Sequence, residues 1–203
     1  MANPVSKIPL FAVPDRAPAI LTVEEAERLV RMAAVTNDTL GLLGFVTLGL
    51  FGGLRRSEIE RIDWAAVKRE RRMVTIDGSI AKSGSIRNVP LSENALAWLS
   101  LCELMSGRVA PRNINPKLRR LRFLAGIERW EGNELRHSCA SYFYDYTQDA
   151  ARTAAQLGHA SGTQLLFEHY RALVPLGAGE RFFAIRPNAA PAVTESSLAA
   201  LPG

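Results

Sequence analysis

Cysteine is nearly absent from this 203-residue chain: Cys102 and Cys139 are the only two. That excludes the disulfide framework of a small secreted fold, and no metal site is suggested. Both lie in apolar, helix-like stretches, where a buried thiol is the usual occupant. Long apolar runs are also missing. The longest candidate, residues 40–53, falls short of the ~18 residues that would mark a membrane span and is interrupted by glycine, so it reads as a buried core helix. Residues 1–20 lack the basic stretch, apolar stretch and small-residue cleavage site of a secretory signal, so the expected location is the cytoplasm, with no membrane partner. Lysine is scarce as well: Lys7, Lys68, Lys82 and Lys117 are the only lysines among 25 basic residues. The net charge of +5 therefore rests on arginine, whose planar fork suits phosphate oxygens. On composition alone, a polyanionic partner and an ordinary solvated surface fit equally well.

What is present describes one globular domain. Hydrophobic residues make up 47% and charged residues 22%, the balance of an ordinary water-soluble protein with a real core. Residues 1–20 contain four prolines and read as an extended lead-in. The spacing then predicts a helix from Thr22, where Thr22 and Glu25 form a capping-box signature ahead of Ala26, Leu29, Val30 and Ala33. A second helix is expected from residue 37 or 38 through 51, and a short helical stretch over 57–67. Residues 73–76, 79–82 and 87–91 read as short strands joined by tight turns. Helices are expected again over 92–105, 115–125, 134–146, 150–157 and 164–171. After Pro187 the composition predicts a disordered tail over 188–203. The fold class is thus mainly α with a small antiparallel sheet (α+β).

Five groups carry potential chemistry. They are Arg55 in Gly53-Leu54-Arg55-Arg56-Ser57-Glu58-Ile59, Lys82 in Ala81-Lys82-Ser83-Gly84-Ser85-Ile86-Arg87-Asn88-Val89-Pro90-Leu91, Arg136 in Leu135-Arg136-His137-Ser138, His159 in Leu157-Gly158-His159, and Tyr170 in His169-Tyr170-Arg171. Each alone has a plain structural reading. Arg55 could cap a helix, Lys82 could be a solvated hairpin lysine, and His159 could satisfy a buried carbonyl. In this order, and with Ile62-Asp63-Trp64 after the first box, they resemble the tyrosine recombinase or phage integrase family over residues 20–187.

The resemblance implies the catalytic-domain fold of that family, with residues 21–187 as the catalytic domain. It implies metal-independent cleavage and rejoining of double-stranded DNA without a cofactor, through a 3′-phosphotyrosine on Tyr170. Two guanidinium forks, Arg55 and Arg136, would face the non-bridging oxygens of the pentavalent state. Lys82 would protonate the leaving 5′ oxygen, and His159 would bind the phosphate or help Tyr170 lose its proton. Glu58 and His137 would support the arginines from behind. Lys117, Arg119, Arg120 and Arg122 would contact backbone phosphates, the alternative being a solvated helix face. A homotetramer on DNA is the implied assembly. The segment Arg181-Phe182-Phe183-Ala184-Ile185 would either dock on a neighbouring protomer or pack in cis.

Three departures stand out. Asn133 replaces the histidine of the family's His-x-x-Arg box, and an amide can donate a hydrogen bond but cannot relay a proton. The interval from His159 to Tyr170 is a residue or two longer than is common. Residues 1–20 are too short for the N-terminal core-binding domain that members carry. These features keep three rivals open: a recombinase-fold DNA-binding protein without the chemistry, a type IB topoisomerase-like enzyme, and a helical interaction domain.

Overall fold

A computed structural model describes residues 18–80, 84, 86–102, 106–158 and 174–187. Over these residues the helices are α1 (Val23–Val35), α2 (Asn37–Leu40), α3 (Leu43–Leu50), α4 (Arg56–Ile59), α5 (Glu93–Ser100), α6 (Ile114–Leu124), α7 (Glu134–Thr147), α8 (Ala150–Leu157) and α9 (Ala178–Phe183). The strands are β1 (Val67–Lys68), β2 (Met73–Ile76) and β3 (Arg87–Pro90). The mainly helical body with one small antiparallel sheet is the fold class that the sequence predicts.

The helix at Thr22 starts as its residues dictate. Thr22 Oγ1 accepts from the Glu25 backbone N–H at 3.1 Å, and a Glu25 carboxylate oxygen accepts from the Thr22 N–H at 2.9 Å. This reciprocal cap satisfies donors that helix geometry leaves without intrahelical partners. Val23, Ala26, Leu29, Val30 and Ala33 then form one buried stripe.

The single helix expected over 37–51 is two. Gly41 takes a left-handed conformation (φ +67°) and caps α2, and α3 begins at Leu43. All eight residues of α3 are buried, because it packs against α1, α5 and α7 at once. Such a helix needs no polar face, which explains why its apolar run resembles a membrane segment cut short. Two glycines permit the close packing: a Cβ on Gly44 would lie 2.5 Å from the Trp64 ring, and one on Gly49 would lie 2.8 Å from the Leu135 side chain. No helix among the described residues is long and apolar enough to cross a membrane.

The sheet has the order β1-β2-β3, all antiparallel. Its composition corrects the sequence reading twice. The stretch 57–67 is not one helix: α4 stops at Ile59, a 3₁₀ turn covers Trp64–Ala66, and the chain enters the sheet as β1. Ser79 and Ile80 form no strand. They close a turn on Asp77, whose side chain accepts from the Ser79 N–H at 2.9 Å and whose carbonyl accepts from the Ile80 N–H at 3.0 Å. Residues 81–83 lie outside the described residues. In the β2–β3 ladder Val74 pairs with Val89 and Ile76 with Arg87, which puts Arg87 at the hairpin end of β3.

The helix expected over 92–105 ends at Ser100 in its described part, while α6, α7 and α8 agree with the expected helices to within a residue. The apolar segment near Phe182 packs within its own chain. Phe182 is fully buried against Phe51 and Tyr142, and the Trp98 indole N–H donates to the Ile185 carbonyl at 3.0 Å. The helix expected over 164–171 and the tail 188–203 lie outside the described residues, as does most of the lead-in.

Candidate active site

Arg55 stands at the start of α4, in extended conformation (φ −69°, ψ 145°), two residues after the left-handed turn at Gly53 (φ +68°). Three residues on, Glu58 is completely buried and accepts from Arg55 twice: from its backbone N–H at 2.9 Å and from Nη1 at 3.1 Å. The Glu58 carboxylate is shared. Arg87 reaches across from β3 and grips both of its oxygens, Nη1 to Oε1 at 2.7 Å and Nη2 to Oε2 at 2.9 Å. Burial alone would raise the Glu58 pKa, yet hydrogen bonds from Arg87 and from the Arg55 backbone, with both positive charges, hold it down at about 2. Glu58 is therefore ionised at every physiological pH.

Arg136 occupies the third turn-forming position of α7 and is 8% exposed. It bridges two carbonyls from distant chain segments, Gly53 O at 2.5 Å and Leu157 O at 2.7 Å. Arg55 leans on the next carbonyl, Gly158 O, at 3.5 Å. Both arginines thus touch the C-terminal end of α8, where outward-facing carbonyls favour cations. Burial, then the neighbouring Arg55 charge, lowers the Arg136 pKa to about 10, so its cation persists at neutral pH. Two guanidinium groups bond the Glu58 carboxylate and a third, Arg136, lies within its electrostatic reach, so the cluster carries a net charge of +2.

Glycine makes this crowding possible. Gly158 caps α8 in a left-handed conformation (φ +65°), and a Cβ there would meet the Arg87 guanidinium at 2.7–2.9 Å. A Cβ on Gly53 would lie 2.8 Å from Leu157 and 3.1 Å from Cys139 Sγ. Gln156 ties the same region together, its side-chain N–H groups donating to Gly52 O and Pro90 O, both at 3.1 Å.

Asn133 is exposed at the N-cap of α7, one turn before Arg136, and its side chain makes no capping bond. Asn133, Arg136, Arg56 and Trp130 line one cleft between α3, α4, α6 and α7. His137 follows Arg136, half-buried on the same helix. On α6, Arg119 and Arg120 are exposed, Lys117 is half-buried, and Arg122 stacks 5.2 Å from the Trp130 ring centroid. Arg120 lies 5.5 Å from the Phe123 ring centroid, but both of those residues are exposed, whereas Arg122 is half-buried.

Of the sequence-predicted site residues, the structure places Arg55, Glu58 and Arg136 near one another. Lys82, His159 and Tyr170 lie outside the described residues, although Gly158 puts the chain leading to His159 against Arg55. Sequence reading gave Arg87 no role. Its signal was present: Arg87 shares the inward strand face with buried Val89, and a charged residue facing the core requires a partner. Burial pushes the Cys139 thiol up to about 12 and the Cys102 thiol up to about 11, so both stay protonated, as expected for buried thiols. No group of three or more His, Cys, Asp or Glu side chains suited to a metal ion occurs among the described residues.

The family pattern of the phage integrases matches residues 19–174, more than half of the chain. The chain belongs to the phage integrase family. The matched span includes Arg55, Lys82, Asn133, Arg136, His159 and Tyr170. Tyrosine recombinase XerC of Xanthomonas campestris pv. campestris (strain B100) is 28% identical to this integrase-family chain over 185 residues, 82% of the chain and 56% of that protein. Tyrosine recombinase XerC of Pseudomonas putida is 30% identical over 182 residues, 78% of the chain and 60% of that protein. The chain thus spans less than two thirds of the length of these curated relatives. Among solved structures, XerA recombinase superposes with a TM-score of 0.63 at 20% identity, over 87% of this chain and 68% of that one. The catalytic domain of bacteriophage HP1 integrase gives 0.57 at 23% identity, over 74% and 86%. A lambda integrase dimer bound to a COC′ core site gives 0.58 at 20% identity, over 81% and 64%. These likenesses establish a tyrosine recombinase catalytic-domain fold.

Proposed function

We propose that this chain is the catalytic domain of a site-specific DNA recombinase that cuts and rejoins strands through a covalent bond to Tyr170. The observation that carries this reading is the shared placement of Arg55 and Arg136, two guanidinium groups held by the end of α8 and biased by one buried carboxylate. A phosphodiester gains negative charge on its non-bridging oxygens as it becomes pentavalent. Donors fixed in advance at that position stabilise the transition state without reorganising, which is the largest single source of rate in many enzymes.

In the proposed reaction the Tyr170 oxygen attacks phosphorus, and the bond from phosphorus to the 5′ oxygen breaks. The leaving 5′ oxygen takes a proton from Lys82, and a 3′-phosphotyrosine remains. Rejoining is the reverse, with a 5′-hydroxyl attacking the ester and Tyr170 leaving. One ester replaces another, so neither step needs an external energy source. Arg55 and Arg136 hold the phosphate throughout, His159 adds a donor or accepts the tyrosine proton, and Asn133 donates its amide N–H to the same oxygens. The partner is double-stranded DNA inside the cell, gripped in part by Lys117, Arg119 and Arg120. Four copies around two duplexes complete strand exchange, as the family resemblance implies.

The test is relaxation of negatively supercoiled plasmid in EDTA without ATP, comparing the parent with Tyr170→Phe. Relaxation by the parent alone supports tyrosine-dependent cleavage and resealing. DNA binding by both proteins with relaxation by neither favours the second reading, a recombinase-fold DNA-binding protein, for which Asn133 in place of a histidine is the specific observation.

A further inference from the structure

We infer that Arg87 is a positioning residue for strand cleavage: by occupying both oxygens of Glu58 it keeps that carboxylate from capturing the Arg55 fork, leaving Arg55 donors for the phosphate. This inference rests on the activity proposed above.

The geometry supplies the argument. A guanidinium and a carboxylate pair best through two parallel hydrogen bonds, and a carboxylate has one such bidentate face for each fork that approaches it in plane. At Glu58 that pairing belongs to Arg87, at 2.7 and 2.9 Å. Arg55 reaches the same carboxylate with a single side-chain N–H, at 3.1 Å, and its Nη2 makes only a 3.5 Å contact to Gly158 O. Its remaining N–H groups have no partner among the described residues, and its side chain is 25% exposed, against 15% for Arg87 and none for Glu58. Arg87 is thus the committed partner and Arg55 the available one. Were Arg87 absent, the buried carboxylate would lose most of its compensation and the nearest remaining cation on its own element is Arg55. A bidentate Arg55–Glu58 pair would turn the fork away from the phosphate.

Charge counting agrees. Arg55, Arg87 and Arg136 with Glu58 sum to +2, which opposes the extra negative charge of a pentavalent phosphate. Arg87 itself is shielded from a ligand, since it packs against Gly158, where even a Cβ would collide with it. Its role is therefore exerted through Glu58 and Arg55, not on the reacting atoms. It also links β3 to the α4 box.

The experiment compares the parent, Tyr170→Phe, Arg87→Met, Arg87→Lys and the double variant Arg87→Met/Glu58→Gln in plasmid relaxation at saturating protein, at a temperature where circular dichroism shows each to be folded. Arg87→Met is expected to slow relaxation about 100-fold, the scale of a misplaced reacting group. Arg87→Lys, a point charge without a fork, falls between that and the parent. The double variant, with no carboxylate left to capture Arg55, regains about tenfold over Arg87→Met, a fraction of what one preorganised donor is worth. A purely structural Arg87 gives no such gain once all variants are folded. Failure of the double variant to exceed Arg87→Met, or Arg87→Met within about threefold of the parent, overturns the inference while leaving the activity intact. A parent indistinguishable from Tyr170→Phe instead overturns the proposed activity, and this inference with it.

Discussion

The Tyr142 ring lies flat on that of Phe182, centroids 4.2 Å apart and planes 12° from parallel. This stack joins α7, which carries Arg136, to α9, downstream of Tyr170. Asp145 on α7 strengthens the joint by accepting from the Gly179 N–H at 2.7 Å and the Gly177 N–H at 3.3 Å. Gly179 sits so close to α7 that a Cβ would be 2.5 Å from Tyr142 O. Phe182→Ala is therefore expected to cost about 3–5 kcal/mol of unfolding free energy, the range for deleting a fully buried aromatic. Urea denaturation checks the number, and a loss below about 1 kcal/mol would mean that the stack contributes little.

Gly158 joins α8 to the segment that contains His159. Its φ of +65° costs a non-glycine residue about 1–3 kcal/mol, and a methyl group there also displaces the Arg87 guanidinium. Gly158→Ala is expected to lower the unfolding free energy by at least this amount and to slow plasmid relaxation. Gly126→Ala is the control, because a Cβ at Gly126 (φ +66°) meets nothing within 4 Å. It should lose stability from backbone strain with little effect on relaxation.

Glu58 gives a pH signature. Its folded-state pKa of about 2 lies below the ordinary 4.5, so its stabilising contribution is complete above about pH 4.5 and is lost as pH falls toward 2. Glu58→Gln should be less stable than the parent by about 3 kcal/mol at pH 6, and the gap should narrow steadily between pH 4.5 and 2. Urea unfolding at several pH values measures it. A gap that stays constant across that window would show that the Arg87 and Arg55 pairs do not stabilise the charged form.

Most of this architecture was legible because local rules and tertiary demands agree. Thr22 and Glu25 announce α1, and the spacing of Ala26, Leu29, Val30 and Ala33 announces which face is buried. The arginine boxes were legible through the family resemblance, and the fold sets Arg55 and Arg136 at the same helix end. What escaped depended on long-range partners. An apolar run such as residues 43–50 has no periodicity to mark its ends, so the break at Gly41, just ahead of it, was hidden within the helix expected over 37–51. β1 is two residues long and exists only because β2 pairs with it. Arg87 looked like one of many arginines until Glu58, 29 positions away in sequence, appeared beside it.

On α6 the exposed arginines provide a test of DNA contact. Each phosphate neutralised by a cation releases counterions, so the logarithm of affinity falls with the logarithm of salt by about 0.9 per contact. Replacing Arg119 and Arg120 together by alanine is expected to flatten that slope by about 2 and to weaken binding to any sequence alike. Arg122→Ala should instead act mainly through stability, because that side chain lies over Trp130. Fluorescence anisotropy across a salt series separates the two cases. Equal slopes for the parent and the double variant would remove α6 from the DNA-facing surface.

Asn133 stands where the family resemblance implies a histidine, and its position allows that histidine to be introduced. It is exposed at the start of α7, one turn before Arg136, and its side chain caps no backbone N–H, so a ring there displaces no hydrogen bond among the described residues. Asn133→His would add a group that titrates near neutrality beside Arg136, the arginine proposed to bind the phosphate, where asparagine offers only a fixed amide donor. General acid–base assistance is worth about 100-fold or more when the group is well placed, so even a partly placed imidazole should accelerate relaxation about tenfold. The gain should carry its own pH dependence, fading as the imidazole titrates, and it should vanish in the Tyr170→Phe background. An unchanged rate across pH 5–9 would mean that proton transfer does not pass through this position and that the asparagine costs the proposed reaction nothing.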